Sequence, residues 1–223
     1  MNYLDTEVLR KIHTDNEVLI EGYDGELLIT KKSIGDIYLP TGEIVVFDPE
    51  KRYVDFLMKK EPLVDKVAPG SYKVKVYYAF NKTERRIAFA EIVFDDVIPE
   101  KYIPALNTVD KYAKVKPGKE FGFTIFSKCA SYADIETLKI FNDMLIEKAG
   151  KFTSNFKKTS LINFVVSQFR DTNDYGFCRK KIDNEGHNVI TFEVTNCNFC
   201  PSFWGIDKEG NKCCLVTDFL LHK

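Results

Sequence analysis

The residues best suited to chemistry lie near the carboxyl end of the chain. Cys197-x-x-Cys200 has the spacing of half a zinc knuckle, and Cys213 and Cys214 follow across an expected hairpin. A structural zinc site needs four thiolate or imidazole ligands, commonly supplied as two such pairs. Successive strand residues point to opposite faces, so only one of Cys213 and Cys214 is expected to join Cys197 and Cys200. Cys178 or His187 would then have to complete the set from a loop. Without the second pair, the thiols are read as small apolar side chains filling a core and a loop. No metal and no other cofactor is therefore expected; if zinc is held, Cys197 and Cys200 hold it. A redox role would need the pair at a helix N-terminus, whereas Pro201–Gly205 reads as strand. Cys129 or Cys178 as a nucleophile would need a histidine beside it, and nothing in the spacing of His13, His187 and His222 supplies one.

Carboxylates offer a second chemistry. Asp48 closes one apolar strand, Asp218 lies inside another, and Asp207 opens a turn. If these strands are neighbours, the three could form an acid–base pair or a magnesium site. Turn formation accounts equally for Asp48 before Pro49 and for Asp207 before Lys208–Asn211. Asp218 has no such explanation, and an ionised carboxylate in an apolar run must be exposed or partnered. Trp204, the only tryptophan, either stacks on a ligand or fills the gap between a sheet and a helix.

These residues must be positioned by a β-rich framework. The 18 Phe and 11 Tyr of the 223 residues favour pleated, half-buried surfaces. Tyr3–Thr14 has helical spacing at Leu4, Val8, Leu9 and Ile12. Short strands are expected at Glu17–Glu21, Leu27–Lys31, Ile37–Leu39 and Glu43–Phe47. A hairpin with one wetter face follows at Ser71–Phe80 and Arg86–Phe94, and Phe121–Ser127 is another strand. Ile135, Leu138, Phe141, Met144 and Leu145 predict a helix over about 131–149, ended by Gly150. A second helix is expected at Ser160–Phe169. Strands return at Val189–Val194, Phe203–Ile206 and Cys213–Leu221.

Composition narrows the function classes. The net charge is −1, so no overall field draws the chain to nucleic acid or to a membrane. Charge is nevertheless uneven, with +6 between Lys148 and Lys181 and −7 elsewhere. Aromatic residues interleave that basic stretch, but its apolar helical spacing accounts for Phe164 and Phe169, and no nucleic-acid-binding motif accompanies it. No apolar run is long enough for a transmembrane helix, and the first residues do not have the make-up of a signal peptide. Reduced thiols and a cytoplasmic location are therefore expected. The common phosphate-cradling, dinucleotide and metalloprotease motifs are absent in their ordinary forms.

Gly35-Asp36, Leu39-Pro40-Thr41-Gly42, Asp48-Pro49 and Pro69-Gly70-Ser71-Tyr72 are followed by Phe203-Trp204-Gly205-Ile206-Asp207 and Cys214-Leu215-Val216-Thr217-Asp218-Phe219. In this order they resemble a mostly bacterial family catalogued as domain of unknown function 4241, over a core of about 35–219. The family pattern has a Gly-Val-Asp-Ala-Gly-like strand where this chain has Gly122-Phe123-Thr124-Ile125-Phe126. It also has a Gly-Asp-Gly loop where this chain has Asn196-Cys197-Asn198-Phe199-Cys200. If those family aspartates carry chemistry, this member lacks both.

The sequence is thus read as one α+β domain over residues 1–223, with largely antiparallel sheets and two or three packed helices. The leading functional expectation is a soluble, non-catalytic binding or protein-interaction domain, one that neutralises or accompanies another protein. One alternative is a small hydrolase or metal-dependent enzyme using Asp48, Asp207 and Asp218. The other is a zinc-stabilised or nucleic-acid-associated module.

Overall fold

The computed structural model describes residues 6–15, 17–22, 25–49, 61–82, 84–107, 121–125, 128–150, 176–194 and 199–219. Among these the fold is mostly β, with thirteen strands and two helices. The expectation of an α+β fold with two or three packed helices is therefore corrected. Segment 131–149 explains much of the error. Its first residues are the strand β8 (Cys129–Asp134), and only Ile135–Gly150 is helical, here α2. Burial of every residue of β8 between its neighbouring strands outweighs the weak helical spacing of those first residues. The helix expected at Ser160–Phe169 lies outside the described residues.

The larger sheet has seven antiparallel strands. It runs β1 (Glu17–Gly22), β2 (Gly25–Leu39), β4 (Gly70–Phe80), β5 (Arg85–Val93), β13 (Lys212–Asp218), β12 (Ser202–Ile206) and β6 (Lys101–Pro104). The smaller sheet is β3 (Ile44–Phe47), β8, β10 (Asn188–Glu193) and β9 (Phe177–Lys181). Two short strands, β7 (Phe123–Thr124) and β11 (Phe199–Cys200), pair with each other. β2 joins what reads in sequence as two strands. A bulge leaves Ile34 unpaired between Ser33 and Gly35, and Gly35 takes a φ of 112°, so the chain bends without leaving the ladder.

Three apolar clusters define the layers. The first lies between the two sheets and contains Ile37, Val74, Ile92, Trp204 and Leu215 from one side, and Tyr132, Ile190 and Phe192 from the other. The second lies on the far face of the seven-stranded sheet under α1 (Thr6–Thr14), which contributes Leu9 and Ile12. The third joins the outer face of the four-stranded sheet to α2 through Val45, Phe47, Ala133, Leu138 and Phe141. The hairpin face expected to be wet is wet only at Lys73 and Lys75; Tyr77 and Ala79, on the same face, pass beneath the second cluster.

Polar ties fix these layers. The Tyr132 hydroxyl on the smaller sheet hydrogen-bonds the Ala90 carbonyl at 3.0 Å and the Thr217 hydroxyl at 2.7 Å, both on the larger sheet. Asp134 accepts from the Glu136 N–H at 2.8 Å, an N-cap for α2. The same carboxylate accepts from the Thr41 N–H and hydroxyl, so it also anchors the turn into β3. No helix among the described residues is long and apolar enough to cross a membrane.

Candidate functional site

Among the sequence-derived aspartates, Asp207 and Asp218 stand apart. Asp207 accepts from the Asn211 N–H at 2.7 Å and closes the turn between β12 and β13. Those turn hydrogen bonds hold its carboxyl below the usual aspartate range, against a raising effect of desolvation. Asp218 ends β13 at the opposite tip, roughly 20 Å away at about 3.3 Å per strand residue. Asp48 is buried just after β3, on the other sheet. Among the described residues, no group of three His, Cys, Asp or Glu side chains poised around one point includes any of the three. Trp204 is fully buried in the cluster between the sheets, tilted against Phe94 at a centroid distance of 6.0 Å.

The cysteines also differ from expectation. Cys129, Cys213 and Cys214 form no disulfide, but Cys200 is buried and disulfide-bonded, so in this state it offers no thiolate to a metal. Cys197 lies outside the described residues. Cys213 and Cys214 do not diverge. A bulge opposite Gly205 and Ile206 leaves Cys213 without a partner in the ladder, and both side chains enter the cluster under α1. Two adjacent strand residues can share a face only where such a bulge interrupts the alternation.

That bulge builds a polar cluster which sequence spacing did not reveal. His13 from α1 lies over the seven-stranded sheet between Tyr77 of β4 and Tyr102 of β6, with ring centroids 6.4 and 6.3 Å away. Its Nε2 is 3.2 Å from Oε1 of Glu91 in β5. Tyr77 donates to the other oxygen of Glu91 at 2.5 Å. Cys214 on β13 completes a group whose ligand atoms, with His13 and Glu91, all lie within 4.8 Å of one another. Glu91 is 0% exposed. It did carry a signal: it stands alone in the apolar run Ile87–Val93, where a carboxylate needs a partner.

Burial dominates the electrostatics here. It lowers the His13 pKa below 6.5, and Glu91 opposes this only in part. Contact with Cys213 is the main influence raising Cys214 well above the ordinary thiol value, and burial adds to it. Burial likewise pushes the Tyr77 and Tyr102 hydroxyls far above the phenol range. The imidazole result has a testable consequence. As pH falls below 6.5, the unfolded chain protonates His13 while the folded chain resists, so acid draws the equilibrium toward unfolding. Urea midpoints measured from neutrality to about one unit below 6.5 should fall in the wild type and fall less in His13→Gln. Equal slopes would contradict this.

A second feature is exposed. On the face of the β1–β2–β4 ladder that continues the inter-sheet cluster, Leu19 pairs with Leu28 and Leu28 with Phe80, giving one apolar row across three strands. The row floors an open groove of about 900 Å³ rimmed by Glu26, Lys82, Glu84 and Arg86. Leu19 is 66% exposed although it lies in a strand whose neighbours Val18 and Ile20 are buried. Among the described residues, β1 is an edge strand. Glu21 lies directly opposite Glu26, both exposed, a like-charge pairing that weakens a ladder.

Comparison with known proteins adds a family. A family model described as Protein of unknown function (DUF4241) matches residues 37–217. No curated protein and no solved structure matches the chain.

Proposed function

We propose that this chain, which belongs to the DUF4241 family, is a non-catalytic protein-binding domain that takes up an extended segment of another protein along β1. The observation that carries this reading is the Leu19–Leu28–Phe80 row at an open sheet edge. An edge strand presents unpaired N–H and C=O groups, and chains ordinarily blunt such edges with inward charge, bulges or cover. Here the edge carries charge at Glu17 and Glu21 but also an exposed leucine over an apolar groove.

Charge specifies the partner. Glu17 and Glu21 flank Leu19 on the same outward face, and Glu26 lies across from Glu21. An added strand with a basic–apolar–basic alternation would cover Leu19 and neutralise these carboxylates. Backbone pairing would supply affinity, and the alternate side chains would supply selectivity. A single site using all three of Asp48, Asp207 and Asp218 is disfavoured, since Asp207 and Asp218 stand at opposite ends of β13.

Substituting Leu19 tests the reading. A solvent-facing change away from packing alters stability by about 0.5 kcal/mol or less, so Leu19→Asp should fold normally. Affinity capture from the producing cells should recover a discrete partner with the wild type and at least about tenfold less with Leu19→Asp, the effect of roughly 1.4 kcal/mol. Undiminished capture by the variant, or no partner for the wild type, would overturn the proposal.

A further inference from the structure

We infer that His13, Glu91 and Cys214 form a binding site for a divalent cation of the zinc class, joining α1 to the seven-stranded sheet. This site is separate from the docking edge and from Cys200, which belongs to the inter-sheet cluster. Its three donors come from three elements: Nε2 of His13 on α1, Oε1 of Glu91 on β5 and Sγ of Cys214 on β13. They lie within 4.8 Å of one another, and the 3.2 Å between His13 Nε2 and Glu91 Oε1 is the spacing of two donors around one small cation. Imidazole nitrogen, carboxylate oxygen and thiolate sulfur together suit zinc rather than calcium or magnesium, which prefer oxygen alone.

Unsatisfied polarity at the same point supplies the second observation. Among the described residues, His13 Nε2, Glu91 Oε1 and the Tyr102 hydroxyl are buried and make no hydrogen bond. Glu91, fully buried, faces His13 without the geometry of a hydrogen bond, although Tyr77 satisfies its other oxygen. A buried carboxylate left in that state is costly. A cation between Oε1 and Nε2 would engage both atoms at once. Tyr77 would then serve as the outer partner that orients a ligating carboxylate.

The bulge in β13 makes this arrangement available. It turns both Cys213 and Cys214 toward α1, so that Cys214 meets Glu91 while Cys213 donates to the Gly205 carbonyl at 3.4 Å. Three protein donors leave a fourth position, as in zinc sites that keep one open. Tyr102 borders the same cluster, close enough for Cys214 and Glu91 to influence its hydroxyl. Binding requires the Cys214 thiolate, so each cation bound releases one thiol proton to solvent. Affinity should therefore rise with pH. Because α1 supplies only His13, occupancy would also pin the helix to the sheet and raise the unfolding temperature.

The test uses the full chain, reduced and stripped with a chelator, and titrated with Co²⁺ as the probe. One equivalent should produce tetrahedral d–d bands and a thiolate-to-cobalt charge-transfer band. Cys214→Ser should abolish the charge-transfer band, and Glu91→Gln and His13→Gln should weaken binding by at least about tenfold. Cys129→Ser and Cys200→Ser should leave it unchanged. No charge-transfer band at one equivalent, or one that survives in Cys214→Ser, would overturn the inference. X-ray absorption of the zinc-loaded wild type gives a readout that needs no variant: one sulfur among nitrogen and oxygen donors supports the site, and two or more sulfurs contradict it.

Discussion

Trp204→Ala is expected to lower the unfolding free energy by about 4 kcal/mol, the middle of the range for removing a buried aromatic side chain. Trp204 is 0% exposed and stands between the sheets among Ile92, Ile206 and Leu215. β12 lies between β6 and β13 in the larger sheet, so surrounding backbone is poorly placed to collapse into the vacancy. In a chain of this size the loss should lower the melting temperature by roughly 10 °C or more. Partner binding per folded molecule should not change, because the ring is remote in register from Leu19. A small stability loss accompanied by lost binding would instead mark Trp204 as a ligand contact.

Gly42→Ala should be comparably damaging for a different reason. Gly42 has a φ of 71°, and a β-carbon there would stand 2.0 Å from the Val67 carbonyl oxygen and 2.9 Å from its carbon. Those atoms belong to backbone held in place by a 3.1 Å hydrogen bond from the Val67 N–H to the Gly42 carbonyl. Relief therefore means moving a main-chain contact, not rotating a side chain. Backbone strain and overpacking together should cost about 3–5 kcal/mol. Gly210→Ala is the control: its φ is 90°, but no atom lies within 4 Å of the added carbon. Only the conformational penalty of about 1–2 kcal/mol should remain. Equal losses at the two positions would show that close approach is not what matters at Gly42. Denaturant titrations of both variants measure the difference.

Local pattern made part of this fold legible. The alternation from Tyr72 to Tyr78 located the central hairpin, and Leu9 and Ile12 located the apolar face of α1. Lys208–Asn211 was recognisable as a turn because Asp207 is suited to closing one. What stayed hidden depends on contacts distant in sequence. The 131–134 part of β8 reads as the start of a helix because nothing local reveals β3 and β10 on either side of it. Burial of all six residues between those strands outweighs intrinsic preference.

The bulge in β13 had the larger consequence. Strict alternation sends Cys213 and Cys214 to opposite faces, and one unpaired residue cancels that inference. With it went the only view of His13, Glu91 and Cys214 as neighbours, since they lie far apart in the chain and on three elements. The docking edge was hidden similarly. Leu19, Leu28 and Phe80 form a row only once the β1–β2–β4 register is known. Glu17 and Glu21 look like ordinary surface charge until Glu26 is placed opposite Glu21.

Site-directed photo-crosslinking in the producing cells tests the docking proposal most directly. A benzophenone side chain would replace Leu19 in one strain and exposed Glu209, in the distant β12–β13 turn, in another. One discrete crosslinked protein is expected from position 19, attached through an extended segment with basic residues beside an apolar one, and none from position 209. The same diffuse products from both positions, or none from position 19, would contradict it.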